Sequence, residues 1–423
     1  MTKSELEAEL GSLTNEYEEF KSKGLKLDMS RGIPGSDQLE LTVGMLGILE
    51  KSEDCIIDIA GKKTDCRSYG VLDGIPEAKK LIGDLIGMPK ENVIVCGNSS
   101  LNIMYNTVAN AMLYGICGST PWSKLNKVKF LCPVPGYDRH FAVTEKLGIE
   151  MINVPMKEDG PDMDTVESLV ESDEAVKGIW CVPKYSNPDG TVYSDEVIKR
   201  FAALKPKAKD FRIFWDNAYV IHFLGKEAAK QANIFDEAKK LGNEDIVYVF
   251  TSTSKISFPG SGIAAVAASD RNVKDIKSNM TIQTIGYDKL NQLRHVRYFK
   301  DLDGITEHMK QHAALIRPKF SCVLDSFEKN LDGLGIAKWS KPTGGYFISL
   351  DLLDGTAKST YDLLLDAGIK ITSAGASFPY GKDPRDRNLR IAPTYPSLDE
   401  LKLASDMLCT CARIACIKKL LEK

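Results

Sequence analysis

The sequence predicts an α/β protein built around a mostly parallel β-sheet, followed by a smaller α+β unit. Three observations support this prediction. Between about residues 55 and 300, short apolar runs alternate with segments of helical period, as in strand–helix units around a parallel sheet. After residue 300, a long charged helical segment precedes two strand-like runs that flank a helix. The length of 423 residues also exceeds that of one ordinary domain.

The predicted strands of the larger unit are five apolar runs: NVIVCG, KVKFLCP, GIWCVP, FRIFWDN and DIVYVFT. The helix after VIVCG is clear, because apolar residues recur on one face: Leu101, Met104, Val108 and Met112. In the smaller unit, a helical segment over residues 305–330 precedes the strand-like runs GGYFISLDL and NLRIAP. The last predicted helix carries one apolar stripe: Leu401, Ala404, Leu408, Cys411 and Ala415.

These patterns predict three segments. Residues 51–305 form the larger domain and residues 306–423 the smaller one. We expect residues 1–50 to associate with the smaller domain.

The composition argues against several classes of protein. Hydrophobic residues at 43%, charged residues at 27% and a formal net charge of −3 give no electrostatic reason to expect a nucleic-acid partner. No apolar run approaches the roughly 20 residues that cross a bilayer, and MTKSELEAELGSLTNEYEEF lacks the apolar core of a signal peptide. The ten cysteines form no CxxC pair and resemble buried free thiols. We expect a cytoplasmic protein that binds neither membrane nor metal.

Polar clusters follow the predicted strands: GNSS (97–100), PGYDR (135–139), SNPDG (186–190), DNAY (216–219) and TSTSK (251–255). The carboxyl ends of parallel strands meet at one edge of a sheet, where ligands bind. Taken singly, each cluster has a structural explanation, since NPDG is an ordinary turn sequence. Their order along the chain predicts one site at this edge.

The same order resembles that of the class I, fold-type I pyridoxal-phosphate (PLP) aminotransferases, whose motifs would cover about residues 28–396. The segments SRGIPG, SKISFPGSG and QTIGYDKLNQLRHVRYF are most similar to the divergent aspartate aminotransferase subgroup Ic. The resemblance implies a large domain with a mostly parallel seven-stranded sheet between helices, and a smaller α+β domain. It also implies pyridoxal 5′-phosphate as cofactor and a homodimer with shared active sites.

The resemblance further implies catalytic roles. Lys255 would form the internal aldimine with PLP and then move a proton between the substrate Cα and the cofactor. Asp216 would pair with the pyridine nitrogen and keep it protonated, so that the ring accepts electrons. Tyr219 would donate to the cofactor O3′, and Asn187 would share that oxygen and approach the substrate carboxylate.

Other motif residues would bind the cofactor. Tyr137 would stack on the pyridine ring. The phosphate would lie at the start of a helix, held by four polar residues: Asn98, Ser99, Ser100 and Ser252. Tyr69, in SYGVLDGIPEAKK, would reach the phosphate of the partner subunit, so that the active site requires a dimer.

Arg390 in NLRIAP would bind the substrate α-carboxylate as a bidentate fork, a geometry that lysine does not reproduce. The backbone of Ile33, Pro34 and Gly35 would lie near the same carboxylate. Each assignment has a structural alternative when the motif is ignored: a surface lysine, a capping aspartate, a tyrosine in the core, or an arginine in a surface ion pair.

The sequence departs from the family pattern after the lysine. Most class I members carry a phosphate-binding arginine there, in a pattern like SKxFGLAGLRIG. The segment SKISFPGSGIA is one residue shorter and has Gly262 at that position. We expect the helix N-terminus and the hydroxyls of Ser252 and Ser254 to offset part of the loss, and Lys289 and Arg294 are candidates for the missing charge.

The predicted function is ping-pong transamination, most closely that of an L-aspartate:2-oxoglutarate aminotransferase. Both substrates carry a second carboxylate, which calls for a further cation; the candidates are Arg31, Arg139 and Arg294. The alternatives are an aminotransferase of other donor specificity (alanine, aromatic), a PLP-dependent β-lyase, and the PLP-domain ligand sensor of a transcription regulator. The sensor is disfavoured, because motifs that begin near residue 28 leave no room for a DNA-binding domain.

His308 and His312 lie one helical turn apart in HMKQH and superficially resemble a zinc-binding helix. The glutamate of HExxH is missing and the surrounding residues are charged. We therefore expect these histidines on a solvated helix face.

Overall fold

The computed structural model describes residues 2–422. Its α-helices, in chain order, are α1 (Lys3–Ser22), α2 (Ser36–Glu40), α3 (Pro76–Ile86), α4 (Ser100–Tyr114), α5 (Asp138–Lys146), α6 (Met163–Ser172), α7 (Asp195–Ala202), α8 (Ile234–Lys240), α9 (Asp270–Gln283), α10 (Lys289–Phe299), α11 (Leu302–Leu331), α12 (Ala357–Asp366) and α13 (Leu398–Leu421).

The strands, in chain order, are β1 (Leu27–Asp28), β2 (Ile56–Ile59), β3 (Lys62–Asp65), β4 (Val93–Val95), β5 (Lys129–Val134), β6 (Glu150–Lys157), β7 (Gly160–Pro161), β8 (Val176–Cys181), β9 (Arg212–Asp216), β10 (Val247–Ser252), β11 (Ala264–Ala268), β12 (Ala337–Trp339), β13 (Ile348–Leu352), β14 (Ile369–Lys370) and β15 (Asn388–Ile391).

The larger part of the molecule is an eight-stranded sheet in the order β4-β11-β10-β9-β8-β5-β6-β7. The strands from β10 to β6 pair in parallel, whereas β11 and β7 run antiparallel to their neighbours. Every residue of β8, β9 and β10 is buried, which explains why these strands read as continuous apolar runs. The predicted α/β class and mostly parallel sheet are confirmed. The eighth strand is the two-residue β7, which extends one edge and carries no sequence pattern.

The smaller part contains the antiparallel sheet β12-β13-β15 and the helices α11, α12 and α13. The predicted apolar stripe of α13 is buried along its whole length. Helix α1 packs against α13, and β1 pairs in parallel with β14. These contacts support the proposed association of residues 1–50 with the C-terminal part. Across residues 2–422, every helix is too short or too polar to cross a bilayer.

The prediction of a solvated face for His308 and His312 is wrong, because both side chains are buried on α11. The Nε2 atom of His308 lies 2.9 Å from the carbonyl oxygen of Ile256 and 3.0 Å from Nε2 of His312. Burial lowers the pKa of His308 and lowers that of His312 to about 3, so both rings are neutral. Helix α11 therefore supports the loop after β10, and Lys310, the charged residue of HMKQH, is exposed to solvent.

Candidate active site

The ends of the parallel strands meet at one edge of the large sheet. There β9 ends at Asp216, β10 leads to Lys255, and the segment after β8 contains Asn187. The segment after β5 contains Tyr137, directly before α5. The structure thus brings together side chains that are far apart in the sequence, as the motif order predicted.

Lys255 lies three residues after β10, with Nζ 4.9 Å from the centroid of the Tyr219 ring. Burial lowers the pKa of its amine, and the negative charge of Asp216 opposes part of this effect. The Lys255 carbonyl oxygen accepts hydrogen bonds from His222 Nε2 (3.2 Å) and from the Tyr346 hydroxyl (3.4 Å). A lysine with a lowered pKa on a fixed loop can act as a nucleophile and as a base.

Asp216 is a buried carboxylate with two different oxygens. Oδ2 accepts a hydrogen bond from His140 Nε2 at 3.0 Å. The His140 ring stacks on Trp180, with ring centroids 4.5 Å apart and an interplanar angle of 11°. Oδ1 is buried and has no hydrogen-bond partner among the described residues. An unsatisfied buried carboxylate oxygen is costly, so Oδ1 marks a position where a donor such as a protonated ring nitrogen would bind.

Two tyrosines at the site remain protonated. Burial raises the pKa of Tyr219 and of Tyr137 well above the ordinary value, so that both hydroxyls can donate. Tyr137 lies at the N-cap position of α5, directly before its first residue, and contacts His140 edge-on, with ring centroids 4.9 Å apart. Sequence reasoning missed His140, whose only signal is its position three residues after Tyr137.

Arg390 projects from β15 towards the end of the large sheet. Its Nη1 donates to Asp138 Oδ1 at 2.6 Å and to Asn187 Oδ1 at 3.3 Å. Its Nε donates to Thr372 Oγ1 at 3.2 Å, and the guanidinium lies 4.9 Å from the centroid of Phe347. The side chain is 7% exposed. The guanidinium therefore lies where the two parts of the molecule meet, beside Asn187, and Asp138 is a neighbour that the sequence did not predict.

The segment around Gly35 lies near the strand that carries Arg390. The hydroxyl of Thr394 donates to the carbonyl oxygen of Ile33 at 2.9 Å. The backbone nitrogen of Gly35 donates to Gln38 Oε1 at 3.1 Å, and Gly35 is buried before α2. These contacts hold residues 33–35 next to the chain after β15.

The predicted phosphate residues meet the lysine loop. Ser99 caps α4 and Ser100 is its first residue. The hydroxyl of Ser254 donates to the carbonyl oxygen of Asn98 at 3.1 Å, and the Ser252 hydroxyl donates to Ser254 Oγ at 3.1 Å. The start of a 15-residue helix next to these hydroxyls is a suitable site for a phosphate dianion.

Gly262, where the family pattern has arginine, leaves no space for a side chain. A Cβ atom at this position would lie 2.9 Å from Thr253 Oγ1 and 3.2 Å from the backbone nitrogen of Ser254. The amide of Asn291 on α10 donates to the carbonyl oxygens of Ser261 and Gly262, at 3.0 and 2.8 Å. The shortened loop is therefore packed against α10, and a side chain at position 262 would require Thr253 and the loop backbone to shift.

The two candidates for the missing charge both lie on α10. Arg294 is half-buried and donates from Nη2 to Asn291 Oδ1 at 2.9 Å, so it is attached to the residue that binds the lysine loop. Lys289 donates to the carbonyl oxygen of Gly70 at 3.0 Å. It lines a surface pocket of about 530 Å³ together with Tyr69, whose side chain is 84% exposed.

Comparisons with known proteins define the class. One similar structure is that of an α-aminoadipate aminotransferase from Thermus thermophilus, complexed with N-(5′-phosphopyridoxyl)-L-leucine. Its TM-score is 0.75 and its sequence identity 18%, and the match covers 94% of this chain and 93% of that one. The structure of an aspartate transaminase from Corynebacterium glutamicum matches with a TM-score of 0.95 and 43% identity, covering 99% of this chain and 98% of that one. The fold is that of the fold-type I PLP-dependent aminotransferases.

Sequence comparisons define the family within this class. The family profile described as "Aspartate amino-transferase" matches residues 1–423. The aspartate aminotransferase of Corynebacterium glutamicum is 44% identical over 404 residues, 95% of this chain and 92% of the relative. A protein of Mycolicibacterium smegmatis is 48% identical over 406 residues, which cover 96% of this chain and 94% of the relative. The chain belongs to the aspartate aminotransferase family and is a transaminase.

Proposed function

We propose that the enzyme transfers the α-amino group of L-aspartate to 2-oxoglutarate with PLP as cofactor. The observation that carries the proposal is that one site contains both Lys255, whose amine pKa is lowered by burial, and the buried Oδ1 of Asp216, which has no hydrogen-bond partner among the described residues. Nucleophile and acceptor lie at the same edge of the sheet. The Corynebacterium glutamicum relatives, which are named for aspartate, support the choice of donor.

The residues present fit the cofactor. Asp216 Oδ1 would accept from the pyridine nitrogen, while Tyr137 and Tyr219 would contact the ring and its O3′. The start of α4 and the hydroxyls of Ser252 and Ser254 would hold the phosphate. When bound, PLP supplies an electron sink that stabilises negative charge at the substrate Cα.

The residues of this chain would supply the proton transfers. Because its pKa is lowered, Nζ of Lys255 is more readily neutral and can accept the proton from the substrate Cα and return it. The Tyr219 hydroxyl, kept protonated by burial, would donate a hydrogen bond throughout. His140 holds the Asp216 carboxylate in one orientation, so that its free oxygen stays directed at the same position.

Arg390 would bind the substrate α-carboxylate, supported by Asn187. For the distal carboxylate we propose Arg31, Arg139 and Arg294 as candidates. The backbone of Gly32, next to Arg31, packs so closely on the Phe347 ring that a Cβ atom at position 32 would clash with it. Arg390 contacts the same ring, so Arg31 lies near the proposed carboxylate site. Arg139 follows Asp138, and both Arg31 and Arg139 are exposed and therefore able to reorient towards a ligand.

We also propose a homodimer with shared active sites in the cytoplasm. Ile285, which precedes the pocket residue Gly286, is 63% exposed, and Ile282 near the end of α9 is 91% exposed. Exposed apolar surface of this kind is typical of an interface. The ten cysteines are all free and mostly buried, which suits a reducing compartment.

The central experiment is covalent trapping. Borohydride should fix the cofactor on Lys255 of the holoenzyme, and Lys255→Ala should lose both labelling and transamination. Lys184→Ala is the matched control, because burial also lowers the pKa of Lys184. Persistent labelling in the Lys255 variant, or labelled peptide at Lys184, would refute the assignment.

Steady-state rates with 2-oxoglutarate test the donor. We expect kcat/KM for L-aspartate to exceed those for L-alanine and L-phenylalanine. Equal values would leave an aminotransferase of other specificity as the better proposal, and elimination of a β-substituent instead of transfer would favour a β-lyase.

A further inference from the structure

The carboxylate of Asp138 forms an ion pair with the guanidinium of Arg390, which is proposed to bind the substrate. Asp138 is the first residue of α5, and its Oδ1 lies 2.6 Å from Arg390 Nη1. The Asp138 side chain is 29% exposed and that of Arg390 is 7% exposed. The pair is therefore accessible from the side of Asp138, while Arg390 itself is enclosed by Phe347 and Thr372.

The donors of Arg390 are unequally used. Nε donates to Thr372, and Nη1 serves both Asp138 and Asn187. Nη2 makes no hydrogen bond to the described residues. A carboxylate bound as a two-point fork needs two parallel N–H donors. An incoming carboxylate that binds the Nη1–Nη2 edge shares Nη1 with Asp138 or displaces it, and one that binds the Nε–Nη2 edge displaces Thr372 and still lies on the guanidinium that Asp138 contacts. In each case two negative groups come close together.

The repulsion from Asp138 differs between the two substrate types. Near pH 7, L-aspartate carries two carboxylates and one ammonium group, whereas 2-oxoglutarate carries two carboxylates alone. The amino acid brings a positive charge next to its α-carboxylate, and this charge offsets part of the repulsion. A 2-oxo acid has no such group and meets the full negative charge of Asp138.

We propose that Asp138 is a specificity-determining residue of the carboxylate site, which competes for Arg390 and weakens the binding of 2-oxo dicarboxylates more than that of amino dicarboxylates. This inference rests on the proposed function of Arg390. It assigns a task to a carboxylate that would otherwise only reduce the affinity of the site. Weaker binding of the oxo acid also favours release of the oxo-acid product after the first half-reaction.

The probe is succinate, a dicarboxylate without an amino group, titrated calorimetrically into holoenzyme. We expect Asp138→Asn to bind succinate about five- to tenfold more tightly than wild type. The KM for 2-oxoglutarate should fall by a similar factor and the KM for L-aspartate by less. Asp138→Ser, which also suits a helix start, should behave in the same way. Asp399→Asn, an exposed aspartate in the first turn of α13, is the charge control and should match wild type.

Two outcomes would overturn the inference. Succinate binding that is unchanged or weaker in both Asp138 variants would make Asp138 a support for Arg390, and equal changes in both KM values would remove the specificity claim. Arg390→Gln separates this failure from that of the proposed function. If Arg390→Gln loses succinate while the Asp138 variants match wild type, only the inference fails. If wild type does not bind succinate, or Arg390→Gln binds it as tightly, the carboxylate site itself is wrong.

Discussion

At the scale of single residues, Lys255 lowers the stability of the folded chain when it is protonated. Burial disfavours its ammonium form and brings the pKa below the value of 10.5 that applies to the unfolded chain. Between the two pKa values the unfolded state binds more protons, so stability rises with pH through this window. Below the folded-state pKa the destabilisation is complete, and above 10.5 it is absent.

We therefore expect the apoprotein of Lys255→Met to be more stable than wild type near neutral pH, by about 1–2 kcal/mol. The difference should shrink as the pH approaches 10.5, because the wild-type amine is then neutral in both states. Thermal unfolding without PLP at several pH values measures this. Lys226→Met, at an exposed position, is the control and should show no such trend. A stabilisation that does not vary with pH would mean that methionine only packs better.

His140 supports a second prediction at this scale, because it is the only hydrogen-bond partner of the Asp216 carboxylate among the described residues. His140→Leu would leave both oxygens of a buried carboxylate unsatisfied and free to rotate. We expect PLP affinity to fall about 10- to 100-fold, as when groups that orient a ligand are removed. His140→Gln, which can place a donor near the position of Nε2, should recover most of the affinity. Cofactor titration by absorbance measures both, and equal loss in the two variants would contradict the role of the hydrogen bond.

The sequence identified the residues that carry recognisable motifs but not those that act through them. Lys255, Asp216 and Arg390 each stand in a distinctive local pattern. Asp138 lies inside the PGYDR cluster and His140 directly after it, but no pattern assigns them a role, because their partners lie 252 and 76 positions away and the contacts exist only after folding.

At the scale of elements, the loop after β10 is the most constrained part of the site. The side-chain amide of Asn291 on α10 donates to the carbonyl oxygen of Gly262. A Cβ atom at Gly262 would lie only 2.9 Å from the hydroxyl oxygen of Thr253, so a side chain there would clash with Thr253. His295 Nε2 lies 3.1 Å from Thr253 Oγ1. The loop that carries Lys255 thus depends on α10 as well as on its own strand.

We expect Gly262→Ala to shift this loop, to destabilise the protein by about 1–3 kcal/mol, and to weaken PLP binding. Gly260→Ala is a matched control two residues away, because a Cβ atom there meets nothing within 4 Å. Unfolding midpoints and PLP dissociation constants of the two variants provide the comparison. Wild-type behaviour of Gly262→Ala would show that the loop adapts, and steric exclusion would then no longer explain the missing arginine.

Elements with strong periodicity could be predicted from the sequence, and elements defined by pairing could not. The buried strands β8, β9 and β10 and the stripe of α13 follow directly from apolar pattern. Strand β7 has two residues and exists only because it pairs with β6. The prediction for the histidines of α11 is wrong because the charged residues near them, Glu307 and Lys310, are exposed on another face of the helix. The burial of His308 and His312 depends on the loop against which α11 packs.

At the scale of the whole molecule, the proposed homodimer gives Tyr69 its role. Its side chain is 84% exposed, and its neighbour Gly70 is held by Lys289 on α10. An aromatic side chain so exposed, in a pocket that also contains Gly286 next to the exposed Ile285, is poorly suited to serve the site of its own chain. A second copy that covers this surface would receive the Tyr69 hydroxyl.

Mixed dimers test whether the sites are shared. We expect Lys255→Ala and Tyr69→Phe each to impair the proposed homodimer, the first by removing the amine and the second by weakening cofactor retention. If Tyr69 serves the partner's site, a dimer of one variant of each kind contains one site with both changes and one site with neither. The second site should have wild-type kcat and PLP affinity, so the mixture gains activity on subunit exchange. If Tyr69 serves its own site, both sites of the mixed dimer remain impaired and no gain occurs, and the shared-site proposal would be excluded.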